Sequence, residues 1–311
     1  MPELRIAFLG DVVGAAGRRA VAHAWPKLRD LHNVHALVVN GENARNGSGC
    51  SPDNYKELRR SGADAVTLGD HVFKDRAILE MLDDPRQPIA RPANLSGGAP
   101  GKRIIELELP ESVSVMFGKK KESGVRLGEP DHPGARIGEP GYPGPKVYVL
   151  TVLGRLYMPL MSNSPFECVD RELELLGAEH PDAMVLVEIH AEATSEKQAM
   201  AWHCLENWSG REGKVGPRVV AVVGTHTHCQ TNDARLLEHS LAAITDLGMC
   251  GPHRSVIGRD VRATLSNMAR QMPASLDVAD GDNRACGVIV RIDAEHRRAM
   301  GIEVVNISVP E

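Results

Sequence analysis

With 311 residues, 42% of them hydrophobic but only 4% aromatic, the chain has enough aliphatic and alanine side chains for the core of one large α/β domain or two small ones. Its 36 basic and 41 acidic residues leave a net charge of −5, which excludes a general electrostatic attraction to nucleic acid or to an anionic membrane surface. No stretch approaches the roughly 20 apolar residues of a membrane span.

In chain order, short apolar runs alternate with amphipathic stretches. Residues 5–10 read as a buried strand, and the run stops at Gly10-Asp11, too soon for a signal peptide. Residues 17–31 have helical spacing, with Pro26 predicting a kink or an early end. Strand 36–40 precedes a helix over 52–60 with proline in its first turn, and strand 65–69 precedes a helix near 75–82. Further strands are expected at 104–109, 147–153, 184–190, 219–223, 241–244, 287–292 and 302–309, and helices at 165–176, 195–206 and 260–268. The first third reads as parallel βαβ units and the last third as more hairpin-like. Between 118 and 146 the chain is rich in Gly, Pro and charge and carries an imperfect ten-residue repeat (126–135, then 136–145). This predicts a mobile or extended loop between two strands of a hairpin, inserted in one domain spanning 1–311. Six scattered cysteines (Cys50, Cys168, Cys204, Cys229, Cys250 and Cys286), with no C-x-x-C pair, read as free thiols of a cytoplasmic protein.

The polar residues fall where the strands end. Asp11 follows the first run, Glu42 and Asn43 the second, Asp70 and His71 the third. His190 closes the run at 184–189, and His226 and His228 follow the run at 219–223. In open α/β sheets the loops at the carboxyl ends of strands converge on one crevice, where ligands bind. Buried carboxylates and imidazoles need partners, and the partner common to all of these is a cation. Oxygen and nitrogen donors without cysteine point to iron or manganese, with zinc and magnesium also accepted by such a set. Seven or eight candidate ligands are too many for one tetrahedral ion. They suit two divalent ions about 3.5–4 Å apart sharing a carboxylate, the geometry of in-line displacement at phosphorus. Two imidazoles two residues apart cannot share one strand face, so the turn after 223 must swing both rings toward the crevice.

Six motifs occur in a fixed order: Gly10-Asp11-Val12-Val13-Gly14, Asn40-Gly41-Glu42-Asn43, Thr67-Leu68-Gly69-Asp70-His71, Arg91-Pro92-Ala93-Asn94, His190-Ala191-Glu192-Ala193-Thr194-Ser195-Glu196-Lys197 and Gly224-Thr225-His226-Thr227-His228. Together they resemble the bacterial YmdB-like branch of the calcineurin-like metallophosphoesterases, over the chain up to about Gly251 apart from the insertion and a smaller extension at 204–216. The resemblance implies a four-layer α/β/β/α fold, a dinuclear centre and phosphodiesterase activity on cyclic nucleotides such as 2′,3′-cyclic AMP, through a metal-bridging hydroxide. It implies that Asp11, Glu42 and His228 hold the first metal, with Asn43 a further ligand or a phosphate contact. Glu42 would bridge to a second metal held by Asp70, His190 and His226. His71 would protonate or stabilise the leaving oxygen, and Asn94 joins Asn43 as an expected substrate contact. One position departs from the pattern, which has asparagine where this chain has Asp70. The carboxylate still ligates, but its extra negative charge bears on metal preference and on the acidity of the bridging water.

Two rival readings remain. Gly10, Gly14 and Gly17 with Glu42 weakly echo a dinucleotide-binding turn, but Asp11 sits where phosphate would approach. A metal-dependent protein that binds a phosphate ligand with little turnover is the other. The expected partner is a small phosphodiester or cyclic nucleotide, with a second copy of the chain left open.

Overall fold

The computed structural model describes residues 3–117, 144–209 and 216–310. In chain order these form β1 (Glu3–Leu9), β2 (Asp11–Val12), α1 (Gly14–His32), β3 (Ala36–Asn40), α2 (Pro52–Arg60), β4 (Ala65–Thr67), α3 (Leu79–Leu82), β5 (Ile89–Ala90), β6 (Ile104–Glu106) and α4 (Glu111–Phe117). They continue as β7 (Val147–Leu153), α5 (Pro165–Glu179), β8 (Met184–His190), α6 (Thr194–Trp208), β9 (Arg218–Thr225), β10 (Arg235–Leu237), β11 (Leu241–Ile244), β12 (Met249–Pro252), α7 (Val261–Arg270), β13 (Asn283–Asp293) and β14 (Arg298–Ser308).

Two mixed sheets stack face to face. One runs β2-β12-β13-β1-β3-β4-β5 with β14 on β13, the other β10-β11-β9-β8-β7-β6. Strand alternation explains the four layers. In β1, Leu4, Ile6 and Phe8 point into the layer between the sheets, while Ala7 and Leu9 meet the helices outside. In β8, Met184 and Leu186 point inward, and Val185, Val187 and Ile189 face α5 and α6. The result is three apolar cores between four layers, an α/β/β/α sandwich.

Some elements differ from expectation. Helix α1 runs unbroken through Pro26 and ends at Asn33 in the left-handed region. Ala20, Val21, Ala24 and Leu28 are fully buried on the sheet, so packing on both sides of the proline holds the helix across its missing hydrogen bond. The helix near 75–82 is a 3-10 turn (Arg76–Ile78) that opens under an Asp75 cap and runs into the short α3. The last third is only partly hairpin-like. Strands β13 and β14 pair antiparallel, as do β10 and β11, but β8, β9 and β11 run parallel. The short β2, β5, β10, β12 and α4 carry too few residues for periodicity to reveal. Strands β6 and β7 do pair as an antiparallel hairpin, with α4 in their connection. The repeat-bearing stretch 118–143 lies outside the described residues. No helix among the described residues is long and apolar enough to cross a membrane.

Candidate metal centre

Strands β1, β3 and β4 are parallel, as are β7, β8 and β9. The carboxyl ends of both sets open on one crevice, and all seven expected ligands stand there. Facing ligand atoms of Glu42, Asp70, His190 and His226 lie within 4.8 Å of one another. His190 Nε2 is 3.0 Å from Asp70 Oδ1, 3.3 Å from Glu42 Oε1 and 3.1 Å from His226 Nδ1. On the other side of Glu42, His228 Nε2 stands 3.2 Å from the Asn43 amide nitrogen and 3.8 Å from Asp11 Oδ1. The two rings of the His-Thr-His turn therefore join different groups.

Backbone geometry explains how they part. His226 and His228 both have positive φ, 99° and 64°, a conformation of order 1–3 kcal/mol above ordinary for a side-chain-bearing residue. The turn is held by Asp246, whose Oδ2 accepts from Thr227 N (3.2 Å), Thr227 Oγ1 (2.7 Å) and the buried Lys197 Nζ (2.7 Å). Asp11 Oδ2 accepts from the His226 backbone N–H at 3.1 Å.

Asp11 and Glu42 are buried, and the Asp70 side chain is 4% exposed. Among the described residues, none of the three pairs with lysine or arginine; their ion-pair partners are imidazoles. Burial pushes the Glu42 carboxyl up, but His190 and His71 outweigh it and hold it below the carboxylate range. Burial also opposes ionisation of Asp70, yet hydrogen bonds to His190 and His226 hold it low. Asp11 is raised, because burial there prevails over His228 and His190. His190, depressed by burial, is driven well above its ordinary value by Glu42, Asp70 and Asp11. Three clustered carboxylates thus face imidazoles instead of lysine or arginine, and such a donor set fits cations.

His71 borders the same group. Its backbone N–H donates to Glu42 Oε2 (3.0 Å), and its Nδ1 lies 2.8 Å from Asn43 Oδ1. Nδ1 also lies 3.4 Å from Glu42 Oε1, and this side-chain contact raises the imidazole pKa above the ordinary histidine value, against burial. The Asn43 amide nitrogen points into the cluster, toward Glu42 (3.1 Å) and Asp11 (3.5 Å), and its oxygen points to His71. Beside Asp70 and His71 a cavity of about 320 Å³ is lined by Phe73, Lys74, Pro159 and Leu160.

Asn94 is directed elsewhere. It is fully buried, its amide nitrogen donates to Leu153 O (2.7 Å) and Asn163 O (2.9 Å), and its oxygen accepts from Leu153 N (2.8 Å). Both amide hydrogens are engaged, so this side chain braces the loop after β7 and offers no hydrogen to a substrate.

Four further residues shape the site, and no strand-end position marks them. Lys197 and Asp246 fix the His226–His228 turn, Glu192 Oε2 lies 3.3 Å from His226 Nε2, and Glu196 accepts from the backbone N–H groups of Arg155 and Leu156. Lys197 and Glu196 sit in the His190–Lys197 motif, but their partners are distant in sequence.

A sequence model of the YmdB-like protein family matches residues 7–120 and 129–305, well beyond the last motif. A 2′,3′-cyclic-nucleotide 2′-phosphodiesterase of Bacillus subtilis (strain 168) is 33% identical over 305 residues, covering 98% of this chain and 97% of that one. A crystal structure of a hypothetical protein from Thermus thermophilus superposes with a TM-score of 0.76 at 32% identity, over 99% of this chain and 100% of that one. A phosphatase structure from Mycoplasma pneumoniae gives a TM-score of 0.77 at 24% identity, over 99% and 94%, and shares the fold.

Proposed function

The chain belongs to the YmdB-like family, and on that premise we propose that it is a two-metal phosphodiesterase acting on 2′,3′-cyclic nucleotides or related phosphodiesters. The observation that carries this reading is the pair of donor groups flanking Glu42, with His190, His226 and Asp70 on one side and Asp11 and His228 on the other. Asp11, Glu42 and His228 would hold one ion, and Glu42, Asp70, His190 and His226 the other. Nitrogen and oxygen donors without sulfur accept iron, manganese, zinc or magnesium, of which iron or manganese is the expected pair. When bound, such ions supply a water acidic enough to attack at neutral pH and neutralise charge developing at phosphorus.

The chain's own residues do the remaining work. The Asn43 amide donates to a phosphate oxygen and its carbonyl orients His71. With Nδ1 engaged there, the Nε2 proton of His71 is the one given to the leaving oxygen as its bond to phosphorus breaks; for a 2′,3′-cyclic substrate cut at the 2′ position this leaves a 3′-phosphate. A pKa raised by Glu42 keeps that proton available toward neutral pH. The cavity walled by Phe73, Pro159 and Leu160, with Lys74 at its side, suits a flat base carried by a phosphate. A cytoplasmic location is supported by six unpaired thiols.

The test is metal content together with hydrolysis of 2′,3′-cyclic AMP and bis-p-nitrophenyl phosphate in Mn²⁺. Two ions per chain and turnover of a diester are expected. A His71→Ala protein should keep both ions while turnover falls at least about a hundredfold. Bound metal without any turnover would favour a phosphate-ligand binding protein instead.

A further inference from the structure

The layer between the sheets is apolar until it nears the site, where its inward positions turn polar. Asn40, Thr67, Thr151, Glu188 and Thr225 are all buried there, each two positions beyond an apolar inward residue of its own strand. Glu188, fully buried, is their meeting point. Its Oε1 accepts from Asn40 Nδ2 (2.7 Å) and Thr225 Oγ1 (2.7 Å), and its Oε2 from Thr151 Oγ1 (2.8 Å).

The directions of the bonds through Asn40 and Thr225 are determined. The Glu42 backbone N–H donates to Asn40 Oδ1 (3.0 Å), so the Asn40 amide nitrogen must face Glu188. A carboxylate has only acceptors, so the Thr225 hydroxyl gives its single hydrogen to Glu188. The Thr225 oxygen, 2.9 Å from His190 Nδ1, is then left to accept, and Nδ1 must carry a hydrogen. Nε2 is thereby the nitrogen directed at Glu42 and Asp70. We propose that Glu188 is the positioning residue of this site, fixing through Asn40 the turn that carries Glu42 and through Thr225 the tautomer and ring orientation of His190. The inference rests on the ligand roles proposed above. Groups that orient a metal-bound histidine from behind are worth about 10–100-fold in metal affinity.

Glu188→Gln separates hydrogen bonding from charge. Its amide oxygen takes the place of Oε1 and its nitrogen donates to Thr151, whose hydroxyl turns to accept, so the relay survives. Thr225→Val removes the hydroxyl without changing the size of the side chain. The experiment titrates each folded protein with Co²⁺ alone, reading the number of ions and each affinity by visible absorption, with circular dichroism as the check on folding. Expected are two ions for the unsubstituted chain and for Glu188→Gln, and a 10–100-fold weaker second ion for Thr225→Val with the first retained. A general loss of structure would weaken both ions together. Two ions at unchanged affinity in Thr225→Val would overturn the positioning role and leave the two-metal reading standing. Failure of the unsubstituted chain to take two ions would overturn both.

Discussion

At position 69 one methyl group decides whether the ligand cluster can form. A Cβ there would stand 2.2 Å from Glu42 Oε2 and 2.5 Å from His190 Nε2, both buried and hemmed in by their partners. Gly69→Ala should therefore fold but lose at least about tenfold in metal affinity, since neither ligand can yield without leaving its position. Unchanged affinity by cobalt titration would refute this account of the glycine. His226 and Asn94 show two limits of reading residues singly. Nothing local marks His226 as a residue that adopts a φ of 99°. Asn94 sits in a motif like the others, yet its amide lies between two backbone segments 59 and 69 residues further on.

Among the elements, the strand-to-loop transitions were the legible part. Apolar runs ending in Asp, Glu, Asn or His are local signals, and β1, β3, β4, β8 and β9 all form where those runs stand. Short strands such as β2 and β12 were not legible, because two to four residues carry no period and their pairing is with each other across the chain. The loop after β9 owes its shape to the Lys197–Asp246 pair, whose side chains are 2% and 1% exposed. Lys197→Met leaves Asp246 buried without its cation and is expected to destabilise the fold by about 3–5 kcal/mol. Urea denaturation monitors this, and a loss below about 1 kcal/mol would mean the pair is incidental to the loop.

Across the whole molecule, strand ends brought together from opposite termini make stability depend on pH. Glu3, at the start of β1, accepts two bonds from Arg291 of β13 (both 2.9 Å) and one from Arg5 (2.7 Å). The Arg291 hydrogen bonds hold its carboxyl below the ordinary value of 4.5 against burial, with Arg5 adding to the effect. A depressed folded pKa gives stability that is present above about pH 4.5 and lost as pH falls through the folded value. The arginines are about one-third exposed, so solvent limits the contribution to less than about 1 kcal/mol. Glu3→Gln should be slightly less stable at pH 6, with the gap closing toward pH 3; a gap constant over that range would exclude this origin.

The sequence by itself determined which residues could meet at the site, because hydrophobic runs specify strands locally and the residues after parallel strands must emerge at one edge. Only the tertiary structure decided that Asn94 braces a loop and that Glu188 stands behind His190. Those outcomes depend on hydrogen bonds between residues far apart in the chain, 148 positions in the case of Asn40 and Glu188. Their direction is set by donors and acceptors that become neighbours only when two sheets stack and water is excluded between them.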